Sequence, residues 1–172
     1  MVVIKGINDD EAVDFVKFAL KKAVDIRFIE FMPVNRDEKF VHISSLEVKQ
    51  RIENELGPLI KIDSGKMSSA AENFKLESAS GNDFVKIGFI APRQDSFCSR
   101  CNRLRLTAHG FLKPCLLSEN MINVGELLRM NATDERISEA IIKAVESKPP
   151  KNRLNECGSI TSLEGHMSFI GG

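Results

Sequence analysis

Apolar positions recur with two different periods along this chain, and the change between them divides its 172 residues. Met1–Gly6 (MVVIKG) reads as a short buried strand. Ala12, Val13, Val16, Ala19, Leu20 and Ala23 then share one helical stripe, with Asn8 as predicted N-cap and Glu11 in the capping-box position. Asp25–Val34 (DIRFIEFMPV) alternates and is aromatic-rich, so it reads as a strand ended by Pro33. Strand, helix and strand in about 30 residues predict a βαβ unit with a parallel strand pair. Functional groups gather at the C-terminal ends of such strands, where Glu30 and Met32 lie. By pattern alone Met32 is a core side chain.

The second half reads differently. Ser44 and Glu47 form a capping box for a helix that runs to Leu56 and stops at Gly57-Pro58. Ile60–Asp63 is a short strand and Ser64–Asn73 a polar loop. Phe74–Ser78 and Phe84–Pro92 read as strands joined through Ser80-Gly81-Asn82-Asp83, a hairpin signal. The character thus turns antiparallel near residue 60, with no flexible linker at the change. Asn123 and Glu126 cap a short helix to about Met130. Thr133 caps another, with Asp134 and Glu135 in its first turn and a predicted buried stripe of Ile137, Ala140, Ile141, Ala144 and Val145. Pro149-Pro150 ends it, and the residues beyond are mostly polar without periodicity.

Composition narrows the field without naming a function. An apolar fraction of 42% and a charged fraction of 28% are ordinary for a soluble globular domain. Lys+Arg and Asp+Glu are 24 each, which argues against non-specific nucleic-acid binding. No apolar run approaches the roughly 18 residues of a membrane span, and no leader is visible, so the expected location is the cytoplasm. Cytosolic thiols stay reduced, so clustered cysteines there are metal ligands or redox groups more often than disulfides.

Three of the four cysteines fall in one stretch, FCSRCNRLRLTAHGFLKPCLL, as Cys98, Cys101 and Cys115 with C-x2-C-x13-C spacing. Arg103-Leu104-Arg105-Leu106-Thr107 alternates strictly, so on a strand Arg103, Arg105 and Thr107 share one face. Ala108-His109-Gly110 can form a three-residue turn with Gly110 left-handed, which sets Cys115 opposite Arg103. A two-residue turn would set it opposite Leu104 instead. Between Arg93 and Lys113 five basic residues face one acid, Asp95, in an otherwise neutral protein. Guanidinium groups match phosphate in bidentate geometry. Three thiolates suit a [4Fe–4S] cluster with one open iron. Spacing alone equally allows a Cys3His zinc site completed by His109. Cys157 defaults to a free thiol.

The segment FCSRCNRLRLTAHGFLKPCL resembles the C-terminal cluster motif of the MoaA family, the GTP 3′,8-cyclases. These are radical S-adenosylmethionine lyases of molybdenum cofactor biosynthesis. IRFIEFMPV at residues 26–34 and the terminal SFIGG are similar to two further segments of that family. The resemblance implies that Cys98, Cys101 and Cys115 ligate the second [4Fe–4S] cluster, whose open iron contacts GTP. It implies GTP binding by Arg103, Leu104 and Arg105, an S-adenosylmethionine contact at Met32, and an arginine near the radical at Arg27. Gly171 and Gly172 correspond to a tail entering the active site. The implied fold is α/β: residues 1–42 as the last βα units of an incomplete TIM-type barrel, and residues 43–172 as an antiparallel α+β C-terminal layer carrying the Fe–S site. No CxxxCxxC motif, the family's first cluster site, occurs among the four cysteines. The chain is therefore expected to be inactive alone, as a fragment or half of a split enzyme needing an N-terminal radical half, with unpaired strand edges. The implied partners are GTP and that half, with no nucleic acid or membrane, and a homodimer is compatible. The alternative is a zinc-stabilised nucleotide- or nucleic-acid-binding module.

Overall fold

The computed structural model describes residues 1–32, 40–62, 70–77, 84–99, 101–118 and 120–149. They divide into two compact units, one holding most of residues 1–100 and the other beginning at Cys101.

The first unit contains β1 (Val2–Val3), α1 (Ala12–Lys22), β2 (Ile26–Glu30), α2 (Ser45–Leu56), β3 (Ile60–Ile62), β4 (Glu72–Glu77), β5 (Phe84–Ile90) and α3 (Asp95–Ser99). Its five strands form one mixed sheet in the order β1-β2-β5-β4-β3. β1 and β2 are parallel, as the βαβ pattern predicts. β4 and β5 pair antiparallel from Glu72↔Phe89 to Glu77↔Phe84, as the hairpin pattern predicts, although the predicted turn lies outside the described residues. The two halves join through a parallel β2–β5 ladder, Ile26↔Ile87 to Ile29↔Ile90.

That junction builds the core. Phe28 stacks on Phe89 at 5.7 Å between ring centroids, and Phe74 meets Phe89 edge-on at 5.7 Å. The stripe of α1 packs here through Ala12, Val13, Val16 and Ala19, and α2 contributes Val48 and Ile52. α2 starts as expected: the Ser44 hydroxyl accepts the Glu47 amide at 3.2 Å, and the Glu47 carboxylate accepts the Ser44 amide at 3.2 Å.

Two expectations here need correction. Asn8 does not cap α1, whose N-cap is Glu11 without a side-chain hydrogen bond. The Asn8 amide instead stitches the preceding turn to β1, accepting the Ile4 N–H at 2.8 Å and donating to the Val2 carbonyl at 3.0 Å. This local Asx-type bonding wins over capping because the chain is still turning through residues 6–11. The polar loop also ends earlier than predicted, since Glu72 and Asn73 already belong to β4. Ladder pairing with β5 outweighs their weak strand propensity.

The second unit has a three-stranded antiparallel sheet, β6 (Arg105–Leu106), β7 (Phe111–Lys113) and β8 (Ile122–Asn123), with α4 (Val124–Arg129) and α5 (Asp134–Glu146). Asn123 caps α4 by accepting the Glu126 amide at 3.0 Å. Thr133 is the N-cap of α5, but its side chain caps no amide. Among the described residues its core is Leu112, Val124 and Ala144, with Leu104, Ile122 and Ile137 packed against it. The predicted α5 stripe is only partly realised, because Ile141 and Val145 are 42% and 51% exposed and only Ala144 is fully buried. A sheet this short covers one turn of the helix rather than its length.

Candidate functional site

The cysteine segment straddles the two units. Cys98 sits in α3, a five-residue helix that the sequence pattern does not show. It forms where the chain leaves β5 and turns, with the Gln94 amide on the Ala91 carbonyl at 3.1 Å and the Phe97 amide on the Gln94 carbonyl at 3.0 Å. Phe97, just before Cys98, helps line a cavity of about 150 Å³ shared with Ser45, Lys49, Phe74, Phe89 and Gln94. The Lys49 ammonium lies 4.3 Å from the centre of the Phe74 ring there. Arg100 lies outside the described residues.

Cys101 opens the second unit and is half-buried. Burial disfavours its thiolate, but the Arg103 amide, the Lys148 ammonium and the Arg103 guanidinium outweigh that cost, and the thiol titrates below its ordinary value. Lys148 was invisible to sequence reading: it follows α5, and its Nζ donates to the Arg103 carbonyl at 2.7 Å across 45 positions of chain.

The hairpin after Cys101 has the three-residue turn in the expected register. Gly110 is left-handed at φ +85°, the Thr107 amide bonds the Phe111 carbonyl at 2.9 Å, and Arg105 pairs with Lys113 and Leu106 with Leu112. Only Arg105 and Leu106 are strand, so the predicted strand over Arg103–Thr107 is shorter than its alternation suggests. The β6–β7 ladder ends at Arg105 and Lys113, so the expected placement of Cys115 opposite Arg103 lies beyond it. The ladder also brings Lys113, 5% exposed, opposite Arg105.

Cys98, Cys101 and Cys115 form no disulfide and are half-buried. Among the described residues no three His, Cys, Asp or Glu side chains converge closely enough to hold a metal ion. The donor set nonetheless suits a soft metal centre: uncrosslinked thiols, one of them in a thiolate-favouring niche. His109 is exposed at the turn.

Arg27 and Met32 belong to the first unit. Arg27 is exposed on β2, and Met32, two residues past the strand end, is half-buried. A Cβ at Gly88 would lie 3.2 Å from the Arg27 side chain and 3.1 Å from that of Asn73, so the missing side chain leaves these groups room on one sheet face. Glu30, at the end of β2, is buried. One oxygen accepts the Ser45 amide at 2.7 Å, while the other lies 3.6 Å from His42 Nε2. Leu104 packs on the second core. Gly171, Gly172 and Cys157 lie outside the described residues.

Fold and residue chemistry define a mixed α/β protein whose second unit gathers thiols and cations around one short hairpin. The chain belongs to the family described as Molybdenum Cofactor Synthesis C, which it matches over residues 24–154. Relatives are named GTP 3′,8-cyclase, and the resemblance to the C-terminal portion of the MoaA family is borne out. The protein from Thermodesulfovibrio yellowstonii is 47% identical over 151 residues, covering 87% of this chain and 45% of that one. That from Syntrophomonas wolfei is 38% identical over 160 residues, with 90% and 47% covered. That from Picosynechococcus is 36% identical over 178 residues, with 100% and 52% covered. The chain spans about half the length of the curated relatives it matches.

Proposed function

We propose that this chain is the GTP-holding part of a GTP 3′,8-cyclase, the enzyme that converts GTP to (8S)-3′,8-cyclo-7,8-dihydroguanosine 5′-triphosphate in molybdenum cofactor biosynthesis. The observation that carries the reading is the hairpin that pairs Arg105 with Lys113 within the unit that holds the thiolate-favouring niche of Cys101. On this reading Cys98, Cys101 and Cys115 hold a [4Fe–4S] cluster. When bound, such a cluster supplies an iron with an open coordination position for a substrate atom.

The chain's own residues bind and orient. Arg103 and Arg105 grip phosphate or position the base, Leu104 shapes the same segment, and Arg27 stands near the reacting sugar. Met32 contacts S-adenosylmethionine, and Gly171 and Gly172 enter the site, where glycine tolerates a crowded backbone path. Residues 1–42 would be the last βα units of an incomplete barrel and residues 43–172 the capping domain. The radical source is a CxxxCxxC motif supplied by an N-terminal half, so the 172-residue chain alone is inactive.

Anaerobic purification tests the reading. A brown protein with iron and labile sulfide supports it, and a colourless one with a single zinc and no iron overturns it. Arg103→Ala and Arg105→Ala should each weaken GTP binding by about tenfold, the scale of one charge-assisted hydrogen bond, with iron content intact. Unchanged affinity in titration calorimetry would remove their role.

A further inference from the structure

We propose that Glu30 and His42 form a carboxylate–imidazole dyad. Glu30 positions the ring, and His42 turns an unprotonated Nδ1 outward as proton acceptor for a ligand that presents a hydroxyl or an amine. The backbone brings the two together from separate segments. Glu30 ends β2 and pairs with Val3 of β1 in a parallel ladder. His42 lies between two fixed neighbours: the Val41 carbonyl accepts the Lys5 amide at 3.1 Å, and Ile43 is fully buried. The pair therefore stands by the C-terminal ends of parallel strands, where α/β folds bind their ligands.

The Glu30 side chain is 3% exposed. Its Oε1 accepts the Ser45 amide at 2.7 Å, in the first turn of α2, where the positive end of the helix favours a carboxylate. Its Oε2 is buried without a hydrogen-bond partner among the described residues, and so is His42 Nε2, 3.6 Å away. The His42 side chain is nonetheless 32% exposed, so its exposed part is the remainder of the ring, Nδ1 included. Two buried polar atoms left unpaired are costly, and an amide or apolar side chain in place of Glu30 would avoid that cost. Packing alone does not account for this pair.

The arrangement decides the imidazole tautomer. A neutral ring carries one N–H and one lone pair. A lone pair on Nε2 would face the Glu30 carboxylate in a dry space, so the proton sits on Nε2 and the lone pair on Nδ1. The 3.6 Å separation is longer than a hydrogen bond, as contacts of this kind commonly are until a ligand binds. When a ligand's O–H or N–H meets Nδ1, its proton passes to the ring and the bonding pair stays on the ligand's oxygen or nitrogen. The resulting imidazolium is held beside the Glu30 carboxylate. The dyad lies within the first unit and depends on neither the cysteines nor GTP.

The test uses the full chain with nitrogen-labelled histidine at about pH 8, where a free imidazole is neutral. The ring-nitrogen shifts of His42, assigned by their loss in His42→Gln, should show Nε2–H and a bare Nδ1. Glu30→Gln keeps an acceptor for the Ser45 amide and sets an amide donor before Nε2, so the proton should move to Nδ1. Diethyl pyrocarbonate gives a second readout, because it transfers its ethoxycarbonyl group to a bare imidazole nitrogen and releases ethanol and carbon dioxide. Labelling of His42, mapped by mass spectrometry against the exposed His109, should be about tenfold slower in Glu30→Gln, the bias that one net hydrogen bond sets between tautomers. An Nδ1–H ring in the wild-type chain overturns the proposal without any variant, as does failure of wild-type His42 to label while His109 does. An unchanged tautomer and labelling rate in folded Glu30→Gln also overturns it, leaving Glu30 as a helix clamp. Should that variant not fold, the two wild-type measurements still decide.

Discussion

The two compact units solve the problem of stability in opposite ways. The first buries fifteen apolar residues around the Phe28–Phe89–Phe74 stack. Among the described residues the core cluster of the second holds three, Leu112, Val124 and Ala144, with three more packed on them. Its order therefore rests on particular polar and backbone contacts: the Lys148 bond to Arg103, the Asn123 cap, and the contact of Gly110 with Gly125, where the Gly125 amide meets the Gly110 carbonyl at 2.8 Å. Burial is non-directional and forgiving, while such contacts are all-or-none in geometry. The unit with the thin core is also the one holding two of the three thiols and the cationic hairpin.

The contrast breaks first at its strongest point. Phe28→Ala should cost about 3–5 kcal/mol, because Phe28 is 1% exposed and its ring anchors the β2–β5 junction. Urea denaturation followed by circular dichroism measures it, and hydrogen exchange should show the loss across the first unit. Gly110→Ala is the counterpart in the second unit. It places a Cβ 2.7 Å from the Gly125 Cα at a backbone φ of +85°, so neither neighbour can give way as a flexible side chain would. About 2–3 kcal/mol is expected, read as a melting shift together with rapid exchange of residues 105–113, and the first unit should stay protected. Equal loosening of both units would erase the distinction drawn between them.

Smaller changes sharpen it. Ser44→Ala removes one side of the capping box of α2 and should cost about 1 kcal/mol in the same denaturation assay. The gentlest probe is pH. The Arg51 side chain, then the Gly6 amide, hold the Asp9 carboxyl below its ordinary value. A depressed carboxyl contributes stability above its unfolded pKa, about 3.9, and loses it as pH falls through the lower folded value. The wild-type chain should therefore lose stability on acidification below about pH 4 faster than Asp9→Asn, a small difference for an exposed pair. Matching acid limbs would discard the Asp9–Arg51 contribution.

Local chemistry carried far in this protein. The capping box at Ser44, the parallel pair around α1, the β4–β5 hairpin and the three-residue turn at Gly110 each depend on neighbours within a few residues or on strict alternation, so the residues themselves specify them. The cysteine spacing and its arginines were equally legible. The ends of elements were less so: Asn8 had two uses for its amide, and the strand expected from Arg103 begins only at Arg105.

Tertiary structure decided what long-range contacts alone can set. It joined the βαβ half to the hairpin through β2 and β5, set Glu30 on the Ser45 amide, and placed Lys113 opposite Arg105 and Lys148 on the Arg103 carbonyl. No period in the sequence encodes a pairing between residues dozens of positions apart. The residues fixed which groups were on hand, and packing within each unit fixed which of them share a neighbourhood, because burial selects partners by the apolar area they remove from water rather than by distance along the chain.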